Sequence, residues 1–219
     1  MSRPAALSGL AGIALFDIGW FWDPTPPIDW SNRHLDAYFA THSNAHWLIA
    51  AVLQFLAVPF LWRFGTVVRD RLADGAAAPR VVRLAAASGR AFAITVLTLD
   101  VCYAVIPFTG VFTDVGTPSA DVYRFWNAGT FAVYIPLSTL FVAGVIAAVC
   151  AGAFRGRSVP LGLGIAGVPL GLATLANFFL PMAGITLWFL AASITLAATR
   201  RPSRAAVVPE PHPAVPTAV

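Results

Sequence analysis

Residues 94–108 read ITVLTLDVCYAVIPF, an apolar run with one aspartate, Asp100, at its centre. Whether such a run lies in a soluble core or in a membrane decides the fold, because the two settings put different costs on that carboxylate. The surrounding chain answers the question. Of its 219 residues, 58% are hydrophobic and 11% charged, and the mean hydropathy is +0.74, well beyond an ordinary soluble domain. The chain reads as an integral membrane protein.

Crossing about 30 Å of hydrocarbon takes roughly 20 mainly apolar residues. Six such stretches lie between the charges: 5–22, 45–62, 91–108, 125–154, 159–180 and 182–199. The expected fold is therefore all-α: six transmembrane helices in one domain, 1–199, with both termini cytoplasmic and a short amphipathic helix in the first outer loop. The fifth and sixth spans meet at Pro181, which requires a very tight hairpin or one short member. Residues 200–219 are proline-rich without apolar periodicity and read as a disordered cytoplasmic tail, in which His212 is inert. The N-terminal MSRPAALSGLAGIALF starts like a secretory signal. Asp17 and the Trp20–Trp22 aromatics follow where a small-residue cleavage site would stand, so an uncleaved first span is expected.

Arginine placement tests the count independently. With six spans, twelve of the fourteen arginines fall on one side, and only Arg33 and Arg124 on the other. That segregation obeys the positive-inside rule and puts the arginine-rich side in the cytosol. The pI near 9.7 then reports arginines beside anionic lipid headgroups, and no basic run suggests a nucleic-acid partner. Asp23, Asp29, Asp36, Asp114 and Asp121 fall on the outer side. No lysine occurs in the chain, which excludes a retinal Schiff base or other lysine-dependent covalent chemistry.

Helix signals refine the arrangement. The second span is expected to run on to about Ala73, with Gly75 as its stop, and Pro79 to start the helix that becomes the third span. This forms a long hairpin with its arginines at headgroup level. Gly144, Ala148 and Gly152 in the fourth span, and Gly167 and Gly171 in the fifth, make small-residue faces suited to packing these helices together or to a homo-oligomer.

Counting about 1.5 Å per residue from the cytoplasmic edge puts Asp100 near the midplane, with Gln54 at a similar level. Asp17, Tyr103, Asn127, Tyr134, Thr174 and Asn177 fall in the outer half, Asp17 close to the interface. His46 and Gln54 share a face of the second span, as do Asp100 and Tyr103 of the third. This asymmetry predicts a polar and aromatic pocket open to the outside, with Gln54, Tyr103, Asn127, Tyr134, Asn177, His46 and Trp20 as ligand-binding candidates. No cation shares the depth of Asp100, so this acid is expected to carry its proton or to reach water through the pocket, hydrogen-bonded to Gln54 or Tyr103. The alternative role is a helix-to-helix hydrogen bond.

In the first outer loop, SNRHLDAYFATH reads as a short helix with Leu35, Tyr38 and Phe39 on one face, lying on the membrane surface or as a lid, between the anchors Trp30 and Trp47. His42 and His46 are spaced to share a metal, but no glutamate lies between them as in a zinc hydrolase helix. No metal and no cofactor is expected.

The succession DAYFATHSNAH, LWRFGTVVRDRLADG, RLAAASGRAFAITVL and RGRSVPLGLGIAG resembles a family of actinobacterial multipass membrane proteins whose members have no assigned activity. The resemblance covers most of the chain and implies fold and topology, not mechanism; the family's tryptophan-bearing start of the fifth span is absent here. Three function classes follow. One is a protein that binds or passes a small or lipidic ligand, anchored by Asp100. Another is an embedded acid-catalysed enzyme, such as an isoprenoid (terpene) cyclase or isomerase, with Asp100 or Asp17 as the general acid. Membrane terpene cyclases are similar in size, but Glu210 in the tail is the one glutamate of this chain, so their intramembrane glutamate is missing. The third is a structural partner subunit.

Overall fold

The computed structural model describes residues 3–22, 26–41, 44–113, 118–156, 159–176 and 182–199, and among these no strand occurs. The helices are α1 (Arg3–Ala6), α2 (Ser8–Trp22), α3 (Asn32–Thr41), α4 (Asn44–Asp74), α5 (Pro79–Phe112), α6 (Ala120–Ala151), α7 (Leu161–Ala176) and α8 (Met182–Ala198). A π-helical turn, Gly152–Gly156, ends α6. Three helices are long and apolar enough to cross a membrane, over Ala45–Asp74, Pro79–Thr109 and Ala120–Arg155, and three shorter apolar ones accompany them.

Local chemistry explains several boundaries. Pro79 sits in the first turn of α5, where its missing N–H leaves no bond unmade. The Ser119 side chain accepts from the backbone N–H of Val122 and caps α6. The hairpin expected from residue 45 through the third span is present, with one difference at its tip. Gly75 was expected to stop α4, but the left-handed residue is Ala76, at φ 55°. The Ala77 N–H donates to Leu72 O (3.0 Å) across it, the bond that closes a helix end of this type.

The six apolar helices form a ring. α2 packs on α4, α4 on α5, α5 on α6, α6 on α7, α7 on α8, and α8 returns to α2. Neighbours run antiparallel: Gly12 faces Leu61 while Gly19 faces Ala50, and Gly164 faces Ala153 while Gly171 faces Ile146. Glycine permits a close backbone approach of α4 and α5 at Gly89, where a Cβ would lie 2.8 Å from the Gly65 Cα. The small-residue faces of α6 and α7 are filled within the chain: Gly144 meets Ser88, and Gly167 meets Cys150 and Ile146. Phe16, Phe64, Phe92, Ile146, Trp188 and Phe189 fill the centre.

Alternation carries the α4–α5 connection, the π-helical turn and the C-terminal end of α8 to one end of the ring, and α3 to the other. Arg63, Arg69, Arg71, Arg80, Arg83, Arg90 and Arg155 belong to the first end, Arg33 and Arg124 to the second. Arg71 departs from the headgroup expectation. It is 4% exposed, and its Nη2 donates to Thr199 O (2.7 Å) and to the Thr199 hydroxyl just past α8, where a helix's negative end favours a cation.

Candidate functional site

At the end opposite the arginine-rich one, a cavity of about 520 Å³ opens between α2, α4, α5 and α6, with Pro26, Pro27 and Ile28 along its edge. Gly19 sets one wall: a Cβ there would lie 2.8 Å from both Ala50 O and Gln54 Cγ, so α2 meets α4 at backbone distance. The floor and far wall are aromatic. Phe16 stacks on Trp20, Trp20 meets Phe131 edge-on, both pairs at 6.0 Å between ring centroids, and Phe131 meets Tyr103 at 5.9 Å. Gln54 and Asn127 are the buried polar side chains in the lining. The Asn127 Nδ2 donates to the Tyr123 hydroxyl (2.9 Å), which leaves Oδ1 as its acceptor toward the cavity. Gln54, 8% exposed, lines the same cavity from α4.

The loop beside the cavity is fastened by the first turns of α6. The Tyr123 hydroxyl donates to Pro26 O (2.5 Å). Arg124 donates to Ile28 O (2.9 Å), to Asn32 Oδ1 (2.6 Å) and to Trp30 O, and also reaches Asp121 (3.1 Å). α3 is seated by the same turns. Its Leu35 and Phe39 bury against Ala120 and Tyr123, and the Tyr38 hydroxyl accepts from Trp47 Nε1 (3.3 Å). The amphipathic face read from Leu35, Tyr38 and Phe39 therefore turns toward the helix bundle.

One turn below the aromatic floor lies a second polar group. Asp17 precedes Trp20 by three residues, and Tyr134 follows Phe131 by three, so both step inward from the cavity. Asp17 Oδ2 accepts from the Thr186 hydroxyl of α8 (2.8 Å), and its Oδ1 is buried without a hydrogen-bond partner. Tyr134 and Ser138 are both buried in the same interior. Asp17 is turned into the bundle as a tie between α2 and α8.

Of the residues singled out in the sequence, Trp20, Gln54, Tyr103 and Asn127 converge on one cavity from four helices. Others do not join them. Asp100 is 2% exposed and borders a separate groove of about 400 Å³ between α4 and α5, among Leu48, Val52, Val101 and Ala104. Its Oδ1 has no hydrogen-bond partner among the described residues, and Asp100 does not line the cavity that Gln54 and Tyr103 share. The reason is helical phase: residues three apart are offset by about 60°, enough to turn Asp100 toward α4 and Tyr103 toward Phe131. His46 is exposed at the start of α4, outside the cavity lining. Tyr134 lies beneath the floor and borders another apolar groove, between α5 and α6. Asn177, His42 and His212 lie outside the described residues, among which no cluster of metal-ligating side chains occurs. Tyr123 and Arg124 were missed because their partners are about 95 residues away in the chain.

Fold and site together define an all-helical protein with long apolar helices and an aromatic, amide-lined cavity at one end. No family model, curated protein or solved structure matches the chain.

Proposed function

We propose that the chain is a six-span protein of a bacterial plasma membrane, both termini cytoplasmic, whose outward-opening cavity binds or passes a small amphipathic or lipidic ligand. The observation that carries this reading is the convergence of Trp20, Gln54, Tyr103 and Asn127 on one cavity of about 520 Å³, a size and lining suited to a small molecule. Arginine segregation between the two ends supports the orientation, and the short helices α2, α7 and α8 complete the set of spans by bilayer thinning or flanking anchors. The likeness to the actinobacterial multipass family is part of the same proposal.

Native mass spectrometry of protein extracted from its own membrane tests it. The wild type is expected to carry a stoichiometric small molecule that Ala128→Trp, which fills the cavity, no longer holds. Identical spectra would contradict the reading. An embedded acid-catalysed enzyme is the second reading, favoured by the Asp17 carboxyl beneath an aromatic floor. Cyclised product from isoprenoid substrates, lost in Asp17→Asn, would select it over simple binding.

A further inference from the structure

We infer that the cavity takes an organic cation, a protonated or quaternary amine on a small apolar body. This rests on the cavity being a ligand site and adds the charge of what it holds. The lining offers rings from Trp20, Trp47, Tyr103 and Phe131, whose faces attract a cation and give an anion nothing comparable. Its buried polar groups are two amides, Gln54 and Asn127, and their carbonyl oxygens turn to an ammonium group as readily as to a neutral donor.

Positive charge is absent where an anion would need it. The chain has no lysine, no arginine is among the described residues that line the cavity, and Arg124 at the rim is committed to loop carbonyls, Asn32 and Asp121. One turn along α2 from Trp20 lies an acid, Asp17, with one oxygen on Thr186 and the other buried without a partner. At the same end Asp29 and Asp36 are exposed, with Arg33 exposed beside them and Asp121 paired to Arg124, so the described charges around the mouth nearly balance and do not favour an anion. Rings, amide carbonyls and the absence of a free cation in the described lining select the same sign.

The test compares probes of one shape and three charges, by calorimetric titration of the full chain in zwitterionic nanodiscs: benzyltrimethylammonium, its carbon isostere neopentylbenzene, and phenylmethanesulfonate. The cation should bind about 10-fold more tightly than either of the others, and Ala128→Trp should abolish its binding. Asp17→Asn should weaken the cation at least about 3-fold and leave the neutral probe unchanged. If that variant does not fold, Trp20→Leu carries the same comparison through loss of the ring. Equal affinities for all three probes, each lost in Ala128→Trp, would overturn the charge assignment and leave the cavity a binding site. Affinities indifferent to Ala128→Trp would overturn both.

Discussion

Replacing Asp100 by leucine should stabilise the protein. Asp100 is 2% exposed, its Oδ1 lacks a partner, and Leu48, Val52, Val101 and Ala104 line the groove beside it. A buried polar group without a bond costs about 1–3 kcal/mol, and its replacement by an apolar side chain recovers that cost. The adjoining groove of about 400 Å³ gives the larger side chain room, so overpacking does not cancel the gain. For a chain of this size each kcal/mol moves the melting temperature by about 2–4 °C, so a rise of roughly 2–12 °C is expected. Asp100→Asn keeps a polar atom there and should stay within about 1 kcal/mol of the wild type. The assay is thermal unfolding in one detergent, followed by loss of helical circular dichroism. A leucine variant less stable than the wild type by about 1 kcal/mol or more would refute the reasoning, because the acid would then be making a bond that this geometry denies it.

Three other substitutions address the frame. Ala76→Gly relieves the left-handed backbone at φ 55° and should stabilise by about 0.5–1 kcal/mol, read as a higher melting temperature. Gly89→Val drives a side chain into the Gly65 backbone, 2.8 Å from where its Cβ begins, and should cost about 1–3 kcal/mol or more in the same assay. Arg124→Ala releases Ile28, Trp30 and Asn32, so amide exchange across 28–35 should quicken at least about 10-fold while α4 and α5 keep their protection.

The sequence made some of this legible and hid the rest for physical reasons. Apolar length and the Pro79 signal located the α4–α5 hairpin, because both act within one helix. Trp20, Gln54, Tyr103 and Asn127, singled out from the sequence together with Tyr134, Asn177 and His46, line one cavity; counting along each helix brought them onto one list. Asp100 and Tyr103 show where counting fails: a shared side is a broad arc, and a neighbouring helix can pass between two residues on it. Arg71 was read as a headgroup arginine, since charge and position cannot reveal that the end of α8 would lie against it. Tyr123 and Arg124 act only through distant loop carbonyls, a signal absent from any local window.

Sidedness of the cavity is the central claim, and thiol labelling measures it directly. In a chain with Cys102 and Cys150 replaced by alanine, a membrane-impermeant maleimide applied to intact cells should modify Ala128→Cys, in the cavity lining, and leave Ala76→Cys, at the α4–α5 tip, untouched until the membrane is opened. Labelling of the tip with the cavity protected would contradict the account.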